Sequence, residues 1–378
     1  MGDVTDRLRV LLVVHHDLVE GTGAAGSTLS LAEELERRGH RVELMGLDLL
    51  AHRHGAALDA LAFPPAVARV VGRRLTGDQL DVLDASTGDL AYVGRGHVRT
   101  ARAAVFTRSH GLEHLNAARR REGARRGELR LRRRYGVYHG GLRLWEVARS
   151  LRAADAVLLL NDAEAAFAAS RLGVPEARIR RTSELLRDLP PAVPPTEHRD
   201  VLVLSPASWR KGGDVAVRVL DTVLRAVPGA TASWHGLEDS AAIGAQLGYD
   251  VRDRVALGDG FDAAALSALL AGHRVLLFPS RAEGLGMTVL EALSAGVPVV
   301  SSDVPGPHDI LAGGEGGVLV PDGHVVGMAT AIQRLLADEA WRSALVARGR
   351  TRAAAFRTAP VVDRLEATYR EVLALKRR

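Results

Sequence analysis

Residues Val275–Ser302 read VLLFPSRAEGLGMTVLEALSAGVPVVSS. An apolar run, Val275–Ser280, is followed by a loop, Arg281–Gly286, then by a helix-like segment and a second apolar run, Val297–Ser302. Runs of this kind without polar alternation predict strands buried on both faces. A helix between two such strands predicts a parallel crossover unit. The helix is expected to start near Met287–Thr288 and to end at Gly296, with Pro298 forbidding its continuation. Gly284 and Gly286 let the loop backbone approach a ligand closely, and the N–H groups at the helix start favour an anion. Yet two carboxylates, Glu283 and Glu291, flank that same helix start.

The alternation continues through the chain. RVLLVV (Arg9–Val14), RVELM (Arg41–Met45), AVLLL (Ala156–Leu160) and VLVLS (Val201–Ser205) read as strands. SLAEELERRGH (Ser30–His40) reads as a helix with Leu31, Ala32 and Leu35 on one face and Gly39 at its end. The prolines of LPPAVPPTEHRD (Leu189–Asp200) can continue neither a helix nor a central strand, so this stretch reads as an interdomain linker. The fold class that follows is α/β: two doubly wound, Rossmann-like domains, with the cleft between them as the default ligand site.

Composition narrows the function. At about 150 residues per domain, 378 residues accommodate two. No apolar run approaches the roughly 18 residues that a membrane helix needs. The first, Val10–Val14, is too short for a signal-peptide core, so a cytoplasmic location is expected. The absence of cysteine excludes disulfides and thiolate metal sites. His15, His16, His52 and His54 form no metal set with nearby acids, and no metal is expected. The basic residues are nearly all arginine; the only lysines are Lys211 and Lys376. The densest run, RRREGARRGELRLRRR (Arg119–Arg134), reads either as a solvated helix-loop face or as a surface for an anionic membrane or an acidic acceptor. Aromatic content of 4% offers no stacking platform, which argues against nucleic acid.

Each acid of the opening stretch has a plain structural reading. Thr288-x-x-Glu291 fits a capping box in which the acid reaches back to the Thr288 N–H. Glu283 fits a solvated loop residue. The functional reading gives both to hydroxyl groups. One carboxylate takes the vicinal hydroxyls of a ribose, the other sits by a sugar ring, and the helix start between them holds a diphosphate. Anion and acids then address different parts of one nucleotide sugar. Lys211 follows a strand and precedes a glycine pair, a suitable place for a cation on phosphate.

The stretch PSRAEGLGMTVLEALSAGVPVVSSD (Pro279–Asp303) resembles the E-x7-E motif of the retaining family-4 glycosyltransferases, the group 1 glycosyl transferases, which have the GT-B fold. The resemblance implies that Glu291 binds the ribose and that Glu283 contacts the transferred sugar. The backbone of Gly284, Leu285, Gly286, Met287 and Thr288 would hold donor sugar and diphosphate. The likeness covers nearly the whole chain. GTGAAGSTLSLAEELERRGHRVELM (Gly21–Met45) is similar to the family's Gly-rich loop, helix and second strand, with Gly23 the candidate for close approach to diphosphate or acceptor. TRSHG (Thr107–Gly111) is similar to its histidine-bearing loop, which implies that His110 touches the donor sugar or its reacting centre. WRKGGDVAVRVL (Trp209–Leu220) is similar to its Lys-Gly element, with Lys211 on the departing nucleoside diphosphate. AFRTAPVVDRLEATYREVL (Ala355–Leu373) resembles the terminal helices that cross back to the first domain.

On this likeness, residues 1–190 form an acceptor-side domain, 191–356 the nucleotide-sugar domain and 357–378 the returning helix. The expected reaction moves a sugar from a UDP- or GDP-linked donor to a hydroxyl of a glycan, lipid-linked or small-molecule acceptor. It proceeds by front-face displacement with no metal, cofactor or enzyme nucleophile. Two departures stand out. The family's arginine upstream of the lysine is absent, since Ser205 and Pro206 occupy those positions; the adjacent Arg210 is the candidate substitute. The family's Asn-Gly pair is absent from RRTSELLRDLPP (Arg180–Pro191). They motivate an alternative, a catalytically silent nucleotide-sugar binder or partner subunit. A third reading, a dinucleotide-dependent oxidoreductase, rests on the spacing of Gly21, Gly23 and Gly26 alone.

Overall fold

The computed structural model describes residues 7–18, 23–50, 56–77, 79–186, 189, 198–260 and 263–378. Most of the expected linker, together with His52, His54 and Gly21, lies outside the described residues. The described residues form two compact units. The first lies within Met1–Ala118, Leu131–Leu185 and Thr358–Arg378, the second within Arg119–Arg130 and Leu186–Arg357.

In the first unit, β1 (Arg9–Val13), β2 (Arg41–Met45), β3 (Val82–Ser86), β4 (Ala104–Arg108), β5 (Ala156–Leu159) and β6 (Ile179–Arg181) form a sheet in the order β2-β1-β3-β4-β5-β6. Every pairing is parallel. The unbroken apolar run of β1 has a direct cause. Val10 and Leu12 pack with Leu31, Leu35 and Phe106 on one face, while Leu11 and Val13 pack with Phe63, Val67 and Leu83 on the other. A strand covered on both faces has no position for an alternating polar residue. Each such side chain contributes roughly 1.5–3 kcal/mol on burial. The helix Thr358–Arg377 also belongs to this unit. Its fully buried Tyr369 donates its hydroxyl to Asp84 in mid-β3, which also accepts from Arg108 of β4.

One expectation is corrected here. The glycines at 23 and 26 are not in a loop, because the helix Gly23–Arg37 already begins there, well before Ser30. Glycine weakens a helix less in its first turn than in its interior, since no packing is asked of it there. The Thr28 and Ser30 hydroxyls also bond back to the Ala24 and Gly26 carbonyls, at 2.8 and 3.0 Å.

In the second unit, β7 (Arg199–Leu204), β8 (Ala232–His235), β9 (Val255–Gly258), β10 (His273–Phe278), β11 (Val299–Ser302) and β12 (Val318–Val320) run in the order β12-β11-β10-β7-β8-β9. All are again parallel. Val201, Val203, Val275, Leu277 and Val300 share one core with Val215, Leu220 and Ile332. Among the described residues, no helix is long and apolar enough to cross a membrane.

Each sheet reverses its winding at one strand pair, β1/β3 in the first unit and β7/β10 in the second. Chain leaving the carboxyl ends of such a pair diverges, and the crevice so opened collects helix starts and free backbone N–H groups.

Candidate functional site

The β7/β10 reversal is where the second unit gathers the residues singled out by sequence. After β7, Trp209–Lys211 form a single tight turn capped by Ser208. Gly212 follows with φ 70°, and a side-chain carbon there would lie 2.0 Å from the Pro279 carbonyl oxygen. Only glycine lets the loop after β7 lie against the loop after β10. The consequence is an ion-paired cluster. Lys211 Nζ lies 2.6 Å from Glu283 Oε1, and Arg210 Nη1 lies 3.5 Å from Glu283 Oε2. The Glu283 side chain is buried, at 8% exposed, whereas Arg210 at 41% reaches solvent. Arg210 and Lys211, adjacent in sequence, thus converge on one carboxylate.

Two residues that sequence reasoning missed hold these loops together. Arg281 donates to the Trp209 carbonyl at 2.9 Å, and to Asp214 Oδ1 and Oδ2 at 2.6 and 2.7 Å. Its guanidinium lies 5.3 Å from the centre of the Trp209 ring, and its own N–H donates to the Arg210 carbonyl at 2.8 Å. Burial works to raise the Asp214 carboxyl, but the bonds from Arg281 outweigh it and hold the group below the usual carboxylate range. Nothing in a separation of 67 residues marks this pair in the sequence. Arg119, the first arginine of the basic run, is also engaged. It pairs with Asp322 and donates to the Arg281 carbonyl at 3.2 Å. Arg119–Arg130 therefore belongs to this unit, not to the first, and its leading residue is not part of a merely solvated face.

The helix Met287–Ala295 begins where the sequence predicts, but the capping box does not form. Gly286, at φ 100°, is the residue preceding the helix, and no side chain caps it. Thr288 already lies inside the first turn, so its N–H is not the group that a reciprocal box would serve. Glu291 instead shares the partly exposed face of Met287 and Thr288, opposite the buried Val289, Leu290, Ala292 and Leu293. Glu283 and Glu291 thus flank a helix start with no side-chain cap.

His110 and Gly23 belong to the first unit. His110 follows β4, and its Nδ1 lies 2.6 Å from Glu184 Oε1, while the Ser27 hydroxyl donates to Glu184 Oε2. Burial disfavours charge on the imidazole, but the Glu184 carboxylate outweighs it and holds His110 above its ordinary pKa. For Glu184 burial acts upward, and His110 more than offsets it, so the carboxyl titrates lower than usual. Glu184 lies in the segment where the Asn-Gly pair is missing. It is the second residue that sequence reasoning missed, since a lone acid in a loop carries no signal. His15 Nδ1 lies 2.6 Å from Asp89 Oδ1 at the β1/β3 reversal, with Arg143 Nη1 3.6 Å from the same oxygen.

Known proteins share this architecture. The chain superimposes on sucrose-phosphate synthase from Thermosynechococcus elongatus with a TM-score of 0.78 at 21% identity, over 98% of this chain and 100% of that one. It superimposes on Anabaena Alr3699/HepE, solved with UDP and glucose, with a TM-score of 0.66 at 18% identity, over 96% and 99%. The fold is GT-B. Residues 198–338 match the family model for glycosyl transferases group 1. A GDP-mannose-dependent alpha-(1-6)-phosphatidylinositol monomannoside mannosyltransferase of Mycolicibacterium smegmatis is 33% identical over 161 residues, 40% of this chain and 42% of that protein. The aligned stretches cover less than half the length of such curated relatives.

Proposed function

We propose that this protein is a retaining glycosyltransferase of the E-x7-E type. It would transfer a sugar from a nucleoside-diphosphate donor to an acceptor hydroxyl. The observation that carries the reading is the convergence of Lys211 and Arg210 on Glu283 beside the start of the helix Met287–Ala295. The match of residues 198–338 to the glycosyl transferases group 1 supports it.

In this scheme the donor pyrophosphate meets the N–H groups of the helix start and competes with Glu283 for Lys211 and Arg210. Glu283, released from those cations, accepts hydrogen bonds from hydroxyls of the transferred sugar. Glu291 accepts from the ribose. As the glycosidic C–O bond to the diphosphate breaks, Lys211 and Arg210 stabilise the negative charge on the leaving oxygen. That oxygen takes the proton of the acceptor hydroxyl as the new C–O bond forms on the same face of the sugar. A carboxylate held by two cations is a poor nucleophile, which favours this route over a covalent intermediate on Glu283. The first unit is the acceptor side, where His110 offers a hydrogen bond to the reacting sugar. The scheme uses no metal.

Thermal shift against nucleoside diphosphates and their sugars tests the donor site. One base, UDP or GDP, is expected to raise the melting temperature most. Glu291→Ala should lose that rise without changing the unliganded melting temperature. A variant that melts lower yet keeps the nucleotide response would refute the ribose role. Consumption of the donor identified, with the anomeric configuration of the product read by NMR, tests transfer and retention. Nucleotide binding without turnover would mark a silent binder or partner subunit instead.

A further inference from the structure

Several of the exposed apolar residues gather in one place. Val137, Leu142, Trp145 and Tyr92 of the first unit are 74, 37, 48 and 40% exposed. The π turn Tyr138–Leu142 runs directly into the helix Arg143–Ala153. The Leu142 N–H donates to the Val137 carbonyl at 3.0 Å, which sets these two residues one above the other, and Trp145 follows one helical turn later. Tyr92 meets Trp145 edge-on with ring centres 5.8 Å apart, and the Arg149 guanidinium lies 5.5 Å from the Trp145 ring. The four residues make one ridge.

The charge around the ridge has one sign. From Leu131 to Arg152 the exposed charged side chains are Arg132, Arg133, Arg134, Arg149 and Arg152. The one acid in that stretch, Glu146, is fully buried and accepts from the Tyr92 hydroxyl at 3.3 Å. A merely solvated helix face would interleave acids with bases. An aromatic and aliphatic ridge rimmed by arginine, with its acid turned inward, has the chemistry of a lipid–water interface. There, aromatic rings lie at headgroup depth and guanidinium groups pair with phosphate.

We propose that this ridge docks the first unit on an anionic lipid bilayer. Val137, Leu142 and Trp145 enter the headgroup layer, and Arg132, Arg133 and Arg134 pair with lipid phosphates. The surface is distinct from Arg119–Arg130, which belongs to the second unit. It stands or falls independently of the transferase reading.

Co-sedimentation of the full chain with vesicles tests it, comparing phosphatidylcholine alone with equal parts phosphatidylcholine and phosphatidylglycerol. Binding to the mixed vesicles is expected, with a blue shift of tryptophan emission that Trp145→Phe removes. Arg132→Gln/Arg133→Gln/Arg134→Gln should weaken binding on the order of 100-fold. Val137→Gln/Leu142→Gln/Trp145→Gln should weaken it by about tenfold or more. Circular dichroism and the nucleotide-induced thermal shift serve as controls that each variant is folded. Equal or absent sedimentation on both vesicles would overturn the proposal. So would an apolar variant that binds like the wild type, which would reduce the effect to charge adsorption. Loss of a dimer in the apolar variant, in a chain that ignores vesicles, would assign the ridge to a second copy.

Discussion

The two sheets each reverse at a strand pair, and each places an ion pair there, but the two crevices are built for different work. At β7/β10 the cations Lys211 and Arg210 meet a single carboxylate, Glu283, and Arg210 reaches solvent. At β1/β3 the order is inverted: one cation serves several acids. Arg143 donates to the Thr87 carbonyl at 2.6 Å and lies 3.3 Å from Glu113 and 3.6 Å from both Asp89 and Glu146. Asp89 and Glu146 are completely buried, and each has an oxygen without a hydrogen-bond partner. Burial raises the Glu146 carboxyl against the pull of Arg143. A solvent-reachable excess of cations can exchange its carboxylate for a phosphate. A buried excess of acids around one guanidinium cannot lose that guanidinium without leaving charges uncompensated. The first crevice is therefore suited to an anionic ligand, and the second to holding the loops after β1 and β3 in place.

The largest expected effect tests the buried crevice. Arg143→Ala should destabilise the chain by about 3–5 kcal/mol in denaturant unfolding, the cost of removing one partner of a buried ionic cluster. A loss below about 1 kcal/mol would show that the acids are already protonated or hydrated, and the contrast would fail. Next comes the open crevice. Lys211→Ala should lower donor turnover on the order of 10²–10³-fold, the range for removing one preorganised charge stabiliser. Its unfolding free energy should hardly change, because Arg210 still faces Glu283. A variant that unfolds easily but turns over normally would reverse the assignment.

The smallest effect concerns His110 and Glu184. With its pKa held above 6.5, His110 contributes stability that is fully present below pH 6.5 and lost as pH rises through the raised value. Glu184, held below 4.5, contributes stability present above pH 4.5 and lost as pH falls through the lowered value. The melting temperature of the wild type should therefore decline on the alkaline side of pH 6.5. Glu184→Gln should flatten that decline, and NMR titration of the His110 ring should show its pKa falling. Unchanged His110 titration in the variant would remove Glu184 from its positioning role.

Much of this protein is written locally. The strands were legible because parallel strands covered on both faces must be apolar throughout, as RVELM and VLLFPS are. The helix over Met287–Ala295 was legible because Gly286 and Gly296 bracket it and Pro298 forbids more. The early start of the helix at Gly23 was not, since glycines near a strand end read as a loop until the Thr28 and Ser30 hydroxyls are seen bonding back to its carbonyls. The capping box failed for a similar reason. Its residues fit the pattern, but Gly286 in the left-handed region places the helix start ahead of Thr288.

By itself the sequence determined which residue types carry the chemistry and on which local elements they ride, because periodicity and turn residues act over a few positions. Only the tertiary structure decided what each charge faces. Lys211 and Arg210 on Glu283, Arg281 on Asp214, and His110 on Glu184 are pairings across loops far apart in the chain. Strand order sets which loops meet, and no local pattern encodes strand order.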